Sequence, residues 1–343
     1  MKTVAFFNNK GGVGKTTLTC NLAAQFATKL RKRVLVIDCD PQCNSTQLIL
    51  NPETLDALYS NEAKPTRTVL DVVRPIEVGV AEINVGVLPH PASDNRFKVD
   101  ILPGHPRMSV VEDKLSQNWT QVSGGDIGGL RVTNWCAVYC RHIGAQYDVA
   151  FLDLGPSLGS LNRTVLLGSD FFVTPMGGDI FSIAGVRNIA LWLNDWITLY
   201  LNGIQQCDAR HPGAVDEFRI RRDVPIATGF AGYTIQQYIT KAIRGKRRPT
   251  LAFERILERV PTEVRNSLQN YYHRGVDDNT VKLGDVPNLF SLIPLAQNAN
   301  APLINLTARD GLVGAQFQQA KEYAAILDHV ARSLAVNIGL ETL

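Results

Sequence analysis

The sequence predicts an α/β fold with a doubly wound, mostly parallel sheet, helices on both faces and helical insertions. An apolar run at residues 3–7 is followed by a glycine-rich turn, an amphipathic segment and a second apolar run at 34–38. This strand–loop–helix–strand order is the βαβ unit of a parallel sheet. Further short apolar runs at 149–153, 171–175 and 290–294 each end in Asp or Pro. Uniformly apolar strands are typical of a sheet that is covered on both faces.

Helices are predicted from apolar periodicity. Apolar residues recur every four positions from Leu18 to Leu30, which places them on one face of the first helix. A second amphipathic helix is predicted across 183–196, and a last long helix from about 313 to 336. These helices would cover the predicted strands.

Two long stretches interrupt this pattern, and we predict them to be insertions within a single domain that spans 1–343. Residues from about 51 to 147 hold many Pro, Gly and Asn, with VLDVV and VGVLP as possible strands. Residues from about 201 to 289 are polar and charged and are predicted to be mostly helical.

Composition narrows the class of protein. The 343 residues include 45% hydrophobic and 20% charged side chains, a globular mixture that excludes disordered, collagen-like and coiled-coil chains. Lys and Arg number 35 and Asp and Glu 32, so the net charge is +3. Binding to nucleic acid would therefore need a local basic patch. The six cysteines predict buried free thiols, because disulfide frameworks belong to short secreted domains.

Hydropathy predicts a soluble, cytoplasmic protein with no membrane partner. The N-terminus turns polar after seven residues, unlike a signal peptide. No apolar run reaches the length of about 18 residues that a membrane span requires. The last 15 residues contain a single Arg, whereas a membrane-binding helix needs a basic face.

The strongest chemical signal is the segment KGGVGKTT, between the first strand and the first helix. Glycines let backbone N–H groups converge on a polyphosphate, and the following helix directs its positive end at the anion. In such a loop Lys15 reaches the β- and γ-phosphates, Thr16 ligates Mg²⁺ and Thr17 donates to the α-phosphate. The sequence therefore predicts a site for ATP and Mg²⁺ formed by Lys10, Gly11, Gly12, Val13, Gly14, Lys15, Thr16 and Thr17.

Lys10 departs from the ordinary phosphate loop, because it stands immediately before the glycine pair. KGGVGKTT resembles the deviant Walker A loop of the ParA/MinD ATPases, which are P-loop NTPases, and NNKGGVGKTT is most similar to the ParA (Soj) partitioning branch. The resemblance implies an ATP-sandwich homodimer in which Lys10 touches the partner subunit's nucleotide. A cation supplied in this way would stabilise charge on the transferring phosphoryl group.

Carboxylates stand at the ends of two further strands. DCDPQCN carries Asp38 and Asp40 and resembles the switch I segment of the family, D-x-D-P-Q; an ordinary Asp–Pro turn is the other interpretation. The resemblance implies that Asp40 orients the attacking water and that Asp38 acts through the water shell of Mg²⁺. FLDLGPS resembles the Walker B segment, D-x-P-P-S, which implies that Asp153 holds Mg²⁺ and that Gly155 replaces the first proline.

The resemblance is good over residues 1–50 and 145–200. It is weaker over 100–108 and 293–302, where the family has similar strand ends that contain Pro. It implies that the loop at 293–302 lies near the adenine of the nucleotide.

The function that this resemblance implies is an ATPase switch. Such a dimer hydrolyses ATP to ADP and phosphate, binds non-specific DNA or a partner protein in its ATP state, and responds to a protein that stimulates hydrolysis. Clustered basic residues could neutralise DNA phosphates, although a solvated loop is the other interpretation. They lie in RIRR, residues 219–222, and in KAIRGKRR at Lys241, Arg244, Lys246, Arg247 and Arg248.

Other functions use the same loop. A ParA-like ATPase that controls a protein effector, for example in phage defence, would share every motif above. A metabolic ATP-dependent ligase similar to dethiobiotin synthetase is disfavoured by Lys10 and the D-x-D-P-Q segment. An electron-donating ATPase similar to the nitrogenase iron protein needs cysteine ligands after the switch strands, and no Cys lies between Asp153 and Cys207.

Overall fold

A seven-stranded sheet forms the centre of the molecule. The structure, a computed structural model, describes residues 1–60, 67–236, 240–243, 246–249, 251–288 and 291–341, with backbone alone at 180, 240–243, 246–249 and 251–255. The strands are β1 (Lys2–Phe6), β2 (Val34–Asp38), β3 (Asp100–Leu102), β4 (Val149–Asp153), β5 (Phe171–Gly177), β6 (Phe230–Gln236), β7 (Thr240–Ile243), β8 (Lys246–Pro249) and β9 (Lys282–Val286).

The order of strands in the sheet is β3-β2-β4-β1-β5-β6-β9, and every neighbouring pair is parallel. Strands β7 and β8 form a separate antiparallel pair. Strand β1 is central, so the segment that follows it lies in the middle of the edge formed by the carboxyl ends of the strands. Ligands of open parallel sheets bind at that edge.

Helices cover both faces of the sheet. They are α1 (Lys15–Thr28), α2 (Asn44–Ile49), α3 (Pro52–Tyr59), α4 (Val69–Glu77), α5 (Met108–Val122), α6 (Ile127–Thr133), α7 (Trp135–Ile143), α8 (Ser160–Leu167), α9 (Ile180–Arg210), α10 (Ala214–Glu217), α11 (Leu251–Leu268), α12 (Leu292–Asn298) and α13 (Gln316–Asn337). This arrangement confirms the predicted doubly wound α/β fold.

The core is divided into two layers because strand side chains alternate between faces. In β1, Val4 and Phe6 pack with α1 and α13, whereas Ala5 packs with α5, α8 and α9 on the opposite face. The uniformly apolar strands predicted from the sequence are therefore strands buried on both sides. All six cysteines are buried and free, as predicted.

Most predicted elements lie where the sequence placed them. The apolar runs at 34–38 and 149–153 are strands β2 and β4, and the run at 171–175 lies inside β5. The predicted amphipathic helix at 183–196 is part of the longer α9, and the last helix is α13. No helix in the described ranges has both the length and the hydropathy of a membrane span.

Two predicted strands are wrong, because both segments are helical. The run at 290–294 is overlapped by α12, whose Leu292 and Ala296 are buried at four-residue spacing. VLDVV is the first part of α4, which begins with a capping box between Thr68 and Asp71. Periodicity cannot separate a strand from a buried helix in so short an apolar run.

A third predicted strand, VGVLP at 85–89, is also wrong, because this segment forms no named strand. The ranges predicted as insertions contribute to the main sheet as well. Strand β3 lies within 51–147, and β6 and β9 lie within 201–289, so the second range is not mostly helical. The division into one domain with two insertions stays a prediction.

A test of this packing is available where α9 crosses α5. A methyl group added at Gly203 would lie 2.3 Å from the Val122 carbonyl oxygen. Ala is ordinarily favoured over Gly inside a helix by about 1 kcal/mol, but here we expect Gly203→Ala to lower the free energy of unfolding by about 1–3 kcal/mol. The neighbouring exposed substitution Asn202→Ala should change it by less than about 0.5 kcal/mol. Urea unfolding measures both, and a Gly203→Ala protein as stable as the parent would contradict the close approach.

Candidate functional site

A cleft of about 690 Å³ lies at the carboxyl ends of the central strands. One wall consists of the loop after β1 and the start of α1, and Asp40 and Pro156 also line it. Ile293 and Gln297 of α12 line it from the C-terminal part of the chain. The volume is that of a typical small-molecule site, and the cleft brings together the phosphate loop and the segment predicted to lie near the adenine.

Left-handed glycines shape the loop after β1. Gly12 has φ 73° and Gly14 has φ 78°, a region that favours glycine because it lacks a Cβ atom. Helix α1 begins directly after Gly14, and no side chain of the described residues caps it. Its first N–H groups and its positive dipole end therefore face the cleft, where they would bind an anion.

The ammonium group of Lys15 lies inside this loop. It donates to the carbonyl oxygens of Asn8 at 3.0 Å and Lys10 at 3.1 Å. Burial lowers the pKa of Lys15, while the charges of Asp153 and Asp40 act in the opposite direction. A buried cation beside two carboxylates, at the mouth of an anion-binding loop, is suited to bind phosphate.

The side chain of Lys10 is held within its own subunit. Its ammonium pairs with the carboxylate of Asp179 and lies 5.9 Å from the centre of the exposed Phe181 ring. Asp179 also caps α9, because it accepts from the Phe181 and Ser182 N–H groups. Sequence reasoning missed Asp179, which stands four residues before the predicted helix at 183–196 and directly before the observed α9.

Two carboxylates lie side by side at the strand tips. Asp38 and Asp153 are register partners on β2 and β4, and both are fully buried. Asp38 accepts from the Thr46 N–H at 2.8 Å and from the Thr46 hydroxyl at 2.6 Å. Asp153 accepts from the Ser45 hydroxyl at 2.7 Å. Helix α2 thus supplies both residues that hold the carboxylates, and the sequence analysis missed both.

Burial and mutual repulsion disfavour two adjacent negative charges. Burial and the charge of Asp153 raise the pKa of Asp38 to about 8. Burial raises the pKa of Asp153 to about 6, although the hydrogen bond from Ser45 opposes the shift. A cation placed between these groups and a polyphosphate would reverse this penalty.

The remaining oxygen of Asp153 fits a metal ligand. Asp153 Oδ1 is buried and has no hydrogen-bond partner among the described residues. Within the same ranges no group of three or more His, Cys, Asp or Glu side chains could hold a metal by itself. Mg²⁺ ordinarily takes one or two carboxylates and completes its shell with phosphate and water oxygens. The single free carboxylate oxygen and the nearby Thr16 hydroxyl are consistent with such a site.

Asp40 lines the cleft close to the loop that follows β4. Its Oδ1 accepts from the Gln42 N–H at 3.0 Å. A Cβ atom added at Gly155 would lie 3.1 Å from the same oxygen. The glycine that replaces the first proline of the family's Walker B segment therefore leaves room for the Asp40 carboxylate.

Comparison with known proteins identifies the family. The AAA domain model matches residues 1–202. The chain belongs to this AAA domain family. A ParA family protein of a Chlamydia psittaci virulence plasmid is 30% identical over 193 residues, which cover 55% of this chain and 62% of that protein. The Bacillus subtilis sporulation initiation inhibitor Soj is 27% identical over 189 residues, 55% of this chain and 63% of that protein. The matched region spans less than two thirds of the length of these relatives.

Solved structures agree with this assignment. Protein DIP2308 from Corynebacterium diphtheriae has a TM-score of 0.77 and 32% identity, and the likeness covers 98% of this chain and 99% of that one. An ATP complex of McdA from Cyanothece has a TM-score of 0.60 over 100% of this chain and 98% of that one, at 13% identity, which shows the fold alone. The predicted resemblance to ParA/MinD-type P-loop ATPases is confirmed.

One of the two predicted DNA surfaces of this AAA domain protein, RIRR, has ion pairs at two of its arginines, and its binding to DNA stays a prediction. In RIRR, Arg221 pairs with Asp170 at 2.8 Å, and Arg222 pairs with both Asp208 and Asp216. Two of the three arginines are therefore neutralised. The other predicted surface lies outside the described residues at Arg244, and the side chains of Lys241, Lys246, Arg247 and Arg248 lie outside them too.

The support that α2 gives to Asp38 can be tested with an isosteric change. The Thr46 hydroxyl donates to Asp38 and accepts from the Gly104 N–H at 2.8 Å. Thr46→Val keeps the shape but leaves the Gly104 N–H without a partner and removes one of the hydrogen bonds to Asp38, so we expect the free energy of unfolding to fall by about 2–4 kcal/mol. Thr46→Ser retains the hydroxyl and should lose less than about 1.5 kcal/mol. Equal losses, measured by urea unfolding, would show that the hydroxyl contributes little.

Proposed function

We propose that this protein is an ATP-dependent switch that hydrolyses Mg·ATP in a homodimer. The observation that carries the proposal is a phosphate loop that lines the cleft, with its buried Lys15 beside the carboxylate of Asp153, which has a free oxygen. In the ATP state the dimer binds non-specific DNA, a partner protein or both, as in DNA or plasmid partitioning. We also propose a cytoplasmic location.

The phosphates of ATP would bind the backbone N–H groups between Lys10 and Thr17. Lys15 would reach the β- and γ-phosphates by exchanging its contacts with carbonyl oxygens for charge-assisted hydrogen bonds. The Thr17 hydroxyl would donate to the α-phosphate, and the adenine would lie against Ile293 and Gln297, which line the same cleft.

Thr16 and Asp153 would hold the Mg²⁺ ion, the latter through its free Oδ1. When bound, Mg²⁺ neutralises charge on the β- and γ-phosphates. Both oxygens of Asp38 already accept hydrogen bonds, from Thr46 and from the Asp40 N–H at 3.2 Å. Asp38 would therefore act on the water shell of the ion, and not as a direct ligand.

Asp40 would orient the water that attacks the γ-phosphate, and hydrolysis would give ADP and phosphate. Lys10 would leave Asp179 when the dimer forms and would stabilise the phosphoryl group in the partner subunit's site. This exchange of one anionic partner for another costs little free energy, because the side chains of Lys10 and Asp179 are each about one third exposed.

Two substitutions test the proposed roles. Lys15→Ala removes the cation from the phosphate loop, so binding of a fluorescent ATP analogue should weaken by more than about 100-fold, or about 3 kcal/mol. Asp40→Ala should retain ATP affinity within about threefold, lower kcat by more than about 100-fold and prolong the ATP dimer, because the attacking water loses its partner while the phosphate loop is unchanged. Normal hydrolysis by Asp40→Ala would exclude the role of Asp40. Normal nucleotide binding by Lys15→Ala would exclude the loop as the site.

The identity of the target is tested separately. If the basic segment KAIRGKRR binds DNA, ATP-dependent binding to a non-specific duplex should fall by at least about tenfold in the Arg247→Ala, Arg248→Ala double variant. Its dependence on salt should also become shallower, since fewer counterions are released. Arg222→Ala, at an arginine that is already paired with two aspartates, serves as the matched control. Parent-like DNA binding by the double variant would place the DNA surface elsewhere on the protein. No DNA binding by the parent would favour control of a protein effector.

A further inference from the structure

The loop that follows β4 is held by one buried amide that no family motif includes. Asn162, on α8, is 1% exposed. Its Nδ2 donates to the Gly155 carbonyl oxygen at 2.8 Å and to the Ser157 carbonyl oxygen at 2.7 Å. Because both acceptors are carbonyl groups, the nitrogen of the amide must face them.

Helix α8 is a rigid support for this tether. Trp135 of α7 donates to the Thr164 hydroxyl at 2.9 Å, and Glu112 of α5 accepts from the Leu161 N–H at 3.3 Å. The guanidinium of Arg163 lies between the rings of Trp119 and Trp196, at 4.7 Å and 5.2 Å. Because these contacts hold α8 independently of the loop, the hydrogen bonds of Asn162 fix the position of the loop.

The tethered loop packs directly against Asp40. A Cβ atom added at Gly155 would lie 3.1 Å from Asp40 Oδ1 and 3.4 Å from Oδ2, so the space between the Gly155 backbone and the carboxylate is too small for a methyl group without crowding. Any displacement of Gly155 toward the cleft would therefore move Asp40. Asn162 fixes Gly155 by its carbonyl oxygen, so the position of the carboxylate depends on the amide.

We infer that Asn162 is a positioning residue for hydrolysis, which sets the orientation of Asp40 through the backbone of Gly155. This inference rests on the proposed function, because it assumes that Asp40 orients the attacking water. It assigns Asn162 no contact with ATP. Its loss should therefore slow the chemical step and leave nucleotide binding intact.

The test is the isosteric variant Asn162→Asp, which replaces the donor by a group that repels carbonyl oxygens. We expect kcat for ATP hydrolysis to fall by at least about tenfold, since small misplacements of a reacting group are costly. KM for ATP should stay within about twofold, and the ATP-bound dimer should live longer. These are measured by steady-state phosphate release and by nucleotide-dependent gel filtration.

Asn337→Asp is the matched control. Asn337 is also a buried amide on a helix, and its Nδ2 donates to the Ala231 and Thr280 carbonyl oxygens at 2.8 Å and 2.9 Å. It lies near the amino end of β6, at the opposite edge of the sheet. The Asn337→Asp variant should lose thermal stability, as Asn162→Asp does, but its kcat per folded molecule should equal that of the parent.

A second variant moves Asp40 without touching the tether. Gly155→Ala introduces the Cβ atom that would crowd Asp40, so kcat should fall with KM unchanged. Because both changes act on one loop, the double variant should be much less impaired than the product of the two single losses. This variant also carries the test if Asn162→Asp fails to fold.

Several results would overturn the inference. They are a parent-like kcat in folded Asn162→Asp or Gly155→Ala, a rise in KM as large as the fall in kcat, or independent effects in the double variant. A parent protein that neither binds nor hydrolyses ATP would instead refute the proposed function. A parent that hydrolyses ATP beside an equally active Asn162→Asp would refute only the role of Asn162.

Discussion

The site depends on the close approach of two buried carboxylates at the tips of neighbouring parallel strands. Asp38 and Asp153 are register partners, and neither is accessible to solvent. Placing two such charges together is unfavourable unless donors or cations compensate them. The chain supplies hydroxyl groups from α2 and a buried ammonium from the phosphate loop, and it leaves one carboxylate oxygen for a further cation.

This constraint connects parts of the chain that are distant in sequence. Helix α2 follows Asp38 closely, so the segment that carries the first carboxylate also holds the second one through Ser45. Asp40, two residues after Asp38, lies against the loop after β4. Short contacts therefore join these strand ends to one another.

Sequence reasoning succeeded where the signal was local. The run from Lys10 to Thr17 combines left-handed glycines, a lysine and a helix start within one short segment, so its structure could be predicted. Its phosphate-binding chemistry stays a prediction. Sequence reasoning failed for VLDVV and for residues 290–294, because an apolar run of four or five residues fits either period. The backbone of the folded chain shows that VLDVV and residues 292–294 are helical.

The sequence by itself determined the parallel α/β architecture, the phosphate loop and the aspartates at the strand ends, because each is encoded by neighbouring residues. The tertiary structure alone decided the partners of those groups: Ser45 and Thr46 for the carboxylates, Asp179 for Lys10 and Asn162 for Gly155. It also decided that Arg221 and Arg222 of RIRR pair with aspartates. These pairings join residues whose spacing in the chain carries no periodic signal, so they become visible only when the strands and helices are packed.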